Sequence, residues 1–375
     1  MTRTLVVTND FPPRVGGIQS FVHNLALELP PDELVVYASR WDGAEAFDAQ
    51  QRFPVVRHPT SLMVPTPAVM RRAREIARSH ECDAVWFGAA APLGLLAPGL
   101  RRETGIRRAV ASTHGHEVGW AMLPGARQLL ARIGRECDIV TYLGEYTLRR
   151  LRAACGPQTT FARLPSGVDA VEFSPSADGA MVRARHGLAC RPVVVCVSRL
   201  VARKGQDVLI QALPAIKRRV PDVALLIVGG GPYRDHLERL VREGGLERDV
   251  VLTGSVPRAE LAAHYAAGDV FAMPCRSRRR GLEVEGLGIV YLEANACGLP
   301  VVAGDSGGAP DAVLEGETGH VVDGRDVSAV AEHVSGLLED DERRRAMGEA
   351  GRAWISREWQ WSTLAARLRG LLTGD

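Results

Sequence analysis

Short runs of apolar, mostly β-branched residues alternate with helical patterns along the whole chain, and this alternation is the feature that most limits its fold. A run such as Val193–Ser198 is too short for a helix and too uniformly apolar for a strand with one solvent-exposed face. It therefore predicts a strand buried on both faces. Such strands, each followed by a helix, are typical of parallel sheets with crossover helices. The pattern occurs twice, so the sequence predicts two doubly wound α/β domains that face a cleft.

The predicted strands and helices fall into two sets. In the first half the strands are Leu5–Thr8, Leu34–Tyr37, Ala84–Phe87, Arg108–Thr113, Ile139–Tyr142 and Thr160–Leu164. In the second half they are Val193–Ser198, Ala224–Val228, Val250–Leu252, Val270–Met273, Pro300–Ala303 and His320–Val322. The clearest helices between them are Ile18–Leu29, Glu145–Ala154, Asp207–Arg219, Tyr233–Arg242 and Val327–Leu338. Because ligands bind at the carboxyl ends of parallel strands, we expect a substrate in the crevice between the domains.

A turn-rich segment separates the two sets of strands. It begins at Pro165-Ser166-Gly167-Val168-Asp169 and continues to about Gly187 with the composition of a linker. The predicted domains are therefore residues 1–168 and 169–353. The amphipathic, tryptophan-rich end of the chain, residues 354–375, is predicted to be a helix that packs back on the first domain.

Composition and charge exclude several classes of protein. At 375 residues the chain is longer than one ordinary domain. Its 46% hydrophobic and 24% charged residues are near the average for globular proteins. A net charge of +2 gives no indication of a nucleic-acid binder. The seven cysteines are scattered without the spacing of a metal site, which indicates reduced thiols of a cytoplasmic protein. No stretch approaches the ~20 apolar residues of a membrane span. If the protein binds a membrane, we expect it to lie on the membrane surface.

Two cations directly follow the predicted strand Val193–Ser198. Arg199 and Lys204 lie in the loop after it, where side chains reach the ligand crevice of a parallel sheet. A pair of cations there suits a diphosphate, whose negative charge must be stabilised as it leaves. For this pair alone, a solvated loop remains the alternative interpretation.

A second motif, Glu285-Gly286-Leu287-Gly288, leads into a helix that places Glu293 eight residues after Glu285. Gly286 and Gly288 allow close backbone approach to a ligand, and the backbone amides at the start of that helix attract an anion. A carboxylate at Glu293 can accept hydrogen bonds from both hydroxyls of a ribose. A glutamate pair alone is common in helices, so only its combination with the cations has weight.

The candidate residues of the second half all follow predicted strands at one rim of the sheet. They are Arg199, Lys204, Gly229-Gly230-Gly231-Pro232, Glu285, Glu293 and Gly307-Gly308. Convergence of this kind is hard to obtain from a purely structural role. It predicts a site for a nucleotide-diphosphate-sugar in the C-terminal half.

The first half carries a smaller set of candidates. Gly16-Gly17 starts a helix after the first strand and lacks the full G-x-G-x-x-G fingerprint, so it predicts an anion cradle and not a dinucleotide site. His114 and His116 follow the strand Arg108–Thr113 and reach the crevice edge. Opposite a diphosphate site, His114 is a candidate for positioning or polarising a sugar, and His116 is the close alternative. A structural role for a histidine here is the other interpretation.

Together these motifs resemble the retaining glycosyltransferases of family 4 over essentially the whole chain. The likeness lies in Gly16-Gly17, Thr113-His114-Gly115, Pro165–Asp169, Ser198-Arg199 with Lys204-Gly205, Gly229–Gly231, and Glu285 with Glu293. It implies the GT-B architecture of two Rossmann-like domains, the first for the acceptor and the second for the nucleotide-sugar. It also implies that no metal or other cofactor is required.

The same resemblance implies roles for the site residues. The donor would be bound by Gly16, Gly17, Arg199, Lys204, Gly230, Val256, Glu285, Gly286, Leu287, Gly288 and Glu293. The residues implied in catalysis are His114, Arg199, Lys204 and Glu285. The two cations would hold the diphosphate, Glu293 the ribose, and Glu285 with the following amides the donor sugar. The histidine would contact the sugar near the reacting carbon.

Two segments, Met273–Glu293 and Ala303–Asp311, resemble more closely the actinobacterial mannosyltransferases that use GDP-mannose to modify phosphatidylinositol monomannoside. This likeness implies an α-1,6 linkage made with retention of configuration, the leaving phosphate itself taking the acceptor proton. The segment Arg276–Arg280 is richer in arginine than expected for this group, which is compatible with a different anionic acceptor.

A basic helix is predicted at Pro67–Arg78. It carries Arg71, Arg72, Arg74 and Arg78 on one side. Such a helix can lie on an anionic membrane, where a lipid-linked acceptor is found, and an ordinary solvated helix face is the alternative. With the family likeness, we expect a peripheral protein on the inner face of the cell membrane.

Other functions stay open from the sequence. One is a family 4 enzyme that uses a UDP-sugar, or a different lipid or soluble acceptor. A nucleotide-sugar 2-epimerase has a similar build but is disfavoured by the glutamate spacing and the cation pair. A protein that only binds nucleotide-sugars would need neither the paired cations nor a positioned histidine.

Overall fold

The computed structural model describes residues 2–115 and 117–374, without the side chains of Val118 and Arg280. The chain divides into two compact units. The first unit comprises Met1–Gly167 together with Trp361–Asp375, and the second comprises Val168–Gln360. The predicted build of two parallel-sheet α/β domains is confirmed.

The first unit is built on one parallel sheet. Its strands are β1 Thr4–Thr8, β2 Leu34–Ser39, β3 Val55–His58, β4 Ala84–Phe87, β5 Arg108–Ser112, β6 Ile139–Tyr142 and β7 Phe161–Arg163. Its helices before the unit boundary are α1 Gly17–Glu28, α2 Ala44–Asp48, α3 Pro67–Ser79, α4 Ala97–Glu103, α5 Glu117–Met122, α6 Pro124–Glu136 and α7 Glu145–Cys155. The strand order is β3-β2-β1-β4-β5-β6-β7, so the chain reverses direction across the sheet between β1 and β4.

The second unit repeats this plan. Its strands are β8 Val193–Val197, β9 Ala224–Val228, β10 Val250–Gly254, β11 Val270–Met273, β12 Val301–Gly304 and β13 Gly319–Val322. Its helices are α8 Gly179–Arg185, α9 Gln206–Arg219, α10 Arg234–Glu243, α11 Arg258–Ala266, α12 Ile289–Ala296, α13 Val327–Glu339 and α14 Asp341–Glu358. The parallel order is β10-β9-β8-β11-β12-β13, which puts the reversal between β8 and β11. Ligands of open α/β sheets bind beyond the carboxyl ends of the strands at this point.

The last helix, α15 Trp361–Thr373, belongs to the first unit. Leu364, Leu368 and Leu372 are buried in the core around Phe21. Arg369 adds an ion pair to Glu33, with 2.7 Å between Nη2 and Oε1. The helix therefore closes the core of the first unit from the far end of the chain.

The observed unit boundary lies at Gln360, whereas the sequence pointed to residue 353. Trp354 is buried in α14 and packs edge-on against Trp359, with ring centroids 5.1 Å apart. Close approach of α14 to the region of α12 explains why this helix stays with the second unit. A Cβ on Gly348 would lie only 2.0 Å from the carbonyl oxygen of Gly298.

The linker predicted to reach Gly187 is shorter than expected. Helix α8 falls inside it and packs within the second unit. Arg183 donates to the carbonyl of Ala267 at 2.9 Å and to Asp269 at 2.8 Å, and Val182 is buried. The sequence did not predict this helix because it is short and surrounded by turn residues.

Strand β3 was also missing from the predicted set. It is an edge strand whose residues are all only partly buried, and it includes Arg57 and His58. An edge strand of this composition lacks the apolar run by which the other strands were recognised.

Candidate donor site

The predicted residues of the second half lie in the carboxyl-end loops of its sheet or in helix α12, and the contact shown directly among them joins Lys204 and Glu285. Arg199 and Lys204 follow β8, Gly230 follows β9, and Val256 follows β10. The remaining predicted residues, Glu285, Gly286, Leu287, Gly288 and Glu293, lie in the connection after β11 or in α12. The loops after β8 and β11 flank the point where strand order reverses.

The carboxylate of Glu285 is held by two cations. Nζ of Lys204 lies 2.7 Å from its Oε2, and Nη1 of Arg203 lies 2.8 Å from the same oxygen. The side chains of Lys204 and Glu285 are both 10% exposed. A buried charge of this kind is tolerated only when it is paired, so the ammonium of Lys204 and the carboxylate of Glu285 stabilise each other.

Glycines let the neighbouring loops approach Lys204 and Glu285. Gly205 has φ +78°, and a Cβ there would lie 2.0 Å from the carbonyl oxygen of Pro274, so only glycine fits directly after Lys204. The amide of Gly308 donates to the carbonyl of Glu285 at 2.9 Å. The amide of Glu285 donates to Oγ of Ser306 at 3.2 Å. The loop after β12 thus fixes the backbone from which the Glu285 side chain projects.

Helix α12 begins directly after this motif. Gly288 precedes its first turn with φ +81°, and Leu287 is buried. A Cβ on Gly286 would meet no other atom within 4 Å, so this glycine is not required by packing. The space beside its backbone suits the close approach of a ligand to the helix N-terminus.

Glu293 lies further along α12 in a partly buried position. It accepts a hydrogen bond of 2.6 Å from the hydroxyl of Tyr265, a buried side chain of α11. Burial raises the pKa of Glu293 to about 7, against the lowering effect of the Tyr265 hydrogen bond. The group therefore changes charge near neutral pH.

Two adjacent loops carry Gly230 and Val256. The amide of Gly229 donates to the carbonyl of Gly254 at 2.9 Å, which joins the ends of β9 and β10. A Cβ on Gly230 would lie 2.4 Å from Oγ of Ser255. Val256 is half-buried beside them, so these loops form one wall at that edge of the sheet.

The first unit places its own candidates after β1 and β5. Gly16 and Gly17 open α1, and among the described residues no side chain caps the amides of its first turn. The buried Gln19 lies beneath Gly16 and donates to Oδ1 of Asp10 at 2.8 Å. Uncapped amides at a helix start can attract an anion, so the anion cradle at Gly16-Gly17 stays a prediction.

His114 is held in place on three sides. Its Nε2 lies 2.6 Å from the carbonyl oxygen of Gly88, and its backbone amide donates to Oε2 of the buried Glu117 at 2.9 Å. Its ring packs edge-on against Phe21, with centroids 4.8 Å apart. The bond to a carbonyl requires a proton on Nε2. His116, the alternative, lies outside the described residues.

Several residues of the site were not singled out from sequence. Arg203 and Ser306 hold Glu285, and Tyr265 holds Glu293. Arg203 precedes Lys204 in the chain, and this adjacency could have indicated that Arg203 also belongs to the site. Tyr265 lies near the end of α11, 28 positions before Glu293 in sequence, and no local pattern indicates its partner.

The described part of the chain has neither a metal-binding cluster nor a helix able to cross a bilayer. Within residues 2–115 and 117–374, no group of three or more histidine, cysteine, aspartate or glutamate side chains is arranged to hold a metal ion. None of the helices described combines the length and the apolar character needed to cross a bilayer.

Comparison with known proteins places this geometry in a family. Residues 15–172 match the family described as Glycosyltransferase Family 4, and residues 183–354 match Glycosyl transferases group 1. A protein of Mycolicibacterium smegmatis named GDP-mannose-dependent alpha-(1-6)-phosphatidylinositol monomannoside mannosyltransferase is 57% identical over 99% of this chain and 98% of that protein. A Corynebacterium glutamicum protein named as the corresponding enzyme for the monoacylated acceptor is 49% identical over 100% and 98%.

A solved structure agrees in fold. HepE from Anabaena in complex with UDP matches with a TM-score of 0.80, at 22% identity, over the whole of both chains. At that identity the likeness concerns the fold alone. With the near-complete coverage of the closer relatives, the conclusion is that the chain is an enzyme belonging to glycosyltransferase family 4.

Proposed function

We propose that the protein transfers mannose from GDP-mannose to phosphatidylinositol monomannoside, forming an α-1,6 linkage with retention of configuration. The observation that carries the proposal is the 57% identity, over almost the full length of both chains, to a relative named for this activity. The paired cations and glutamates at the strand ends of the second unit supply chemistry that suits such a donor.

The second unit would bind the donor and the first unit the acceptor. Arg199 and Lys204 are assigned to the diphosphate, because guanidinium and ammonium groups match phosphate oxygens. Glu293 is assigned to the ribose hydroxyls, and Glu285 with the amides after it to the mannose. Since Lys204 is paired with Glu285, a bound diphosphate would meet an ammonium whose position is already fixed.

The proposed reaction forms a bond between the acceptor 6-oxygen and C1 of mannose and breaks the bond from C1 to the GDP oxygen. The hydroxyl attacks on the face from which the diphosphate leaves, and the departing phosphate oxygen takes its proton. Stabilisation of that leaving group by the two cations is then the main electrostatic contribution. His114 is assigned the contact with the donor sugar that the family likeness implies, and metal independence remains a prediction.

Donor and acceptor profiling tests the proposal. The purified protein is incubated with phosphatidylinositol monomannoside and, separately, with GDP-mannose, UDP-glucose and UDP-N-acetylglucosamine. Release of GDP together with a lipid product heavier by one hexose, and α-1,6-linked by methylation analysis, is the expected result. Transfer only from a UDP-sugar, or loss of sugar nucleotide without a glycosylated lipid, would contradict it.

A peripheral position on the inner face of the cell membrane is part of the proposal. Arg71, Arg72 and Arg78 are exposed on α3, and Arg74 is partly exposed. The apolar side of the helix lies in the core, with Val69 among its buried residues, so α3 would meet lipid through charge and not by insertion. All seven cysteines are free thiols, which suits a reducing compartment.

A further inference from the structure

A pocket of about 520 Å³ lies entirely on residues of the second unit, among the loops that follow β8, β9 and β11. Three arginines line it: Arg199 and Arg203 from the first of these loops, and Arg278 from the third. Tyr233 from the loop after β9 forms another part of the wall. Glu283 is the acidic residue of the lining, so the pocket is predominantly cationic.

The acidic groups near this pocket are shared between cations. Oε2 of Glu283 lies 3.5 Å from Nη1 of Arg278, and its Oε1 lies 3.1 Å from Nε of Arg279. Glu285, the partner of Arg203, is likewise shared with Lys204. One carboxylate therefore serves two cations in each case. The surplus positive charge favours an anionic ligand.

The loop that carries Arg278 is ordered by its own hydrogen bonds and by contacts to neighbouring loops. The backbone of Arg278 and Glu283 is joined by two hydrogen bonds of 2.9 and 3.2 Å, which close a small hairpin. Just before it, Arg276 binds both oxygens of Asp207 at 3.0 and 2.6 Å, and Tyr233 donates to the same carboxylate at 3.1 Å. The side chains of Arg276 and Asp207 are 13% and 12% exposed. This network ties the loops after β8 and β9 to the loop after β11, so the backbone of the hairpin that carries Arg278 is fixed.

Binding of the donor diphosphate does not use all of the cations that line the pocket. Its diphosphate is assigned to Arg199 and Lys204, and the lining includes Arg203 and Arg278 but not Lys204. The acceptor named for the relatives is a phosphatidylinositol, whose phosphodiester is a single negative charge with free oxygens. Planar guanidinium groups bind such oxygens in pairs. We propose that Arg278, together with Arg203, binds the phosphodiester of the lipid acceptor.

This inference rests on the proposed function and adds a contact to the acceptor from the donor-binding unit. It is tested with Arg278→Ala, with Arg279→Ala as the matched control. The control removes the same charge from the adjacent residue, which is paired to the same Glu283 but lies outside the pocket lining. Two water-soluble acceptors are compared, glycerophosphoinositol mannoside and inositol mannoside, which differ only in the glycerophosphate.

For the acceptor that carries the phosphate, Arg278→Ala is expected to raise KM roughly tenfold or more, as for loss of a hydrogen bond between charged groups. KM for GDP-mannose, and KM for the phosphate-free acceptor, should stay at the wild-type values. Arg279→Ala should change none of the three. Arg278→Lys, which keeps the charge but loses the paired geometry, should fall between wild type and Arg278→Ala and guards against a folding defect.

Equal KM values for the phosphorylated acceptor in the Arg278→Ala and Arg279→Ala variants would overturn the inference. So would a rise in KM for GDP-mannose in Arg278→Ala, because the pocket would then serve the donor. Wild-type protein that transfers no mannose to phosphatidylinositol monomannoside itself, assayed alongside, would contradict the proposed function, and this inference with it.

Discussion

The ammonium of Lys204 lies 2.7 Å from Oε2 of Glu285, and both side chains are 10% exposed. The two residues come from loops on either side of the strand reversal in the second sheet. This pairing neutralises a carboxylate that Arg203 also contacts, and it fixes the position of the ammonium. The same contact therefore contributes to folding and, in the proposed function, to catalysis.

Replacing Lys204 and Arg199, the two cations assigned to the diphosphate, should separate the contribution to folding from the contribution to catalysis. Lys204→Ala and Arg199→Ala are each expected to lower kcat/KM by roughly 100-fold or more, because the leaving group loses its electrostatic stabilisation. Arg199 is exposed, so its variant should unfold at the wild-type temperature, whereas Lys204→Ala leaves a buried carboxylate less well paired and should unfold earlier. Steady-state kinetics and thermal unfolding measure both effects.

Lys217 provides the control for that comparison. It is the only other lysine of the chain and is paired with Asp249 in the same unit. Lys217→Ala should keep wild-type kcat/KM. Near-native turnover by Lys204→Ala or Arg199→Ala would show that the diphosphate is not held by these groups.

Glu293 should make both donor affinity and stability depend on pH. Its pKa is raised from 4.5 to about 7, so the folded protein holds this proton more tightly than the unfolded chain. Stability contributed by the protonated form is present below about pH 4.5 and is lost as pH rises towards 7. Affinity for GDP should change in the opposite direction, because ribose hydroxyls donate best to the ionised carboxylate.

The variant Glu293→Gln tests this linkage. It should bind GDP more weakly than wild type, with little change between about pH 6 and 8, and it should unfold at a higher temperature than wild type at pH 8. Glu317→Gln, at an exposed position of the same unit, is the control. A pH-independent difference in unfolding temperature between Glu293→Gln and wild type would argue against the raised pKa.

The C-terminal helix should be essential for the stability of the first unit. Leu368 is fully buried in the core with Phe21 and Val22, so Leu368→Ala is expected to cost about 2–5 kcal/mol of unfolding free energy. Arg367, the preceding residue, is exposed, and Arg367→Ala should cost less than ~1 kcal/mol. Urea denaturation of the two variants measures the difference, and equal midpoints would place Leu368 outside the cooperative core.

The exposed arginines of α3 should support binding to anionic vesicles. The double variant Arg71→Ala with Arg72→Ala is expected to weaken co-sedimentation with phosphatidylserine vesicles by roughly tenfold, at about 1 kcal/mol per arginine. Arg218→Ala with Arg239→Ala removes the same charge from exposed positions of the second unit and serves as the control. Equal loss in both double variants, or no preference for anionic over neutral vesicles, would exclude a specific role for α3.

Metal independence is open to a simple test. The proposed leaving-group stabilisation uses Arg199 and Lys204, so transfer should continue at the wild-type rate after exhaustive treatment with EDTA. Loss of activity that Mg²⁺ or Mn²⁺ restores would require a metal in the reaction, and the cations would then need another role.

Most strands that the sequence predicted, such as β1, β2, β8 and β9, are buried on both faces. Such strands need continuous apolar runs, and those runs are visible without any knowledge of their neighbours. Strand β3 and helix α8 lack this signature. The first is a half-buried edge strand, and the second is held by contacts of Arg183 to distant residues of the same unit.

The sequence by itself determined the two parallel sheets and the loops in which the site residues lie, because strand burial and strand-end position are local properties of the chain. Only the tertiary structure decided which side chains meet. The contacts of Lys204 with Glu285 and of Tyr265 with Glu293 join residues from different loops and helices, separated by 81 and 28 positions. Such contacts depend on how the crossover connections pack, and so do the raised pKa of Glu293 and the grouping of Arg278 with Arg203. No local pattern encodes them.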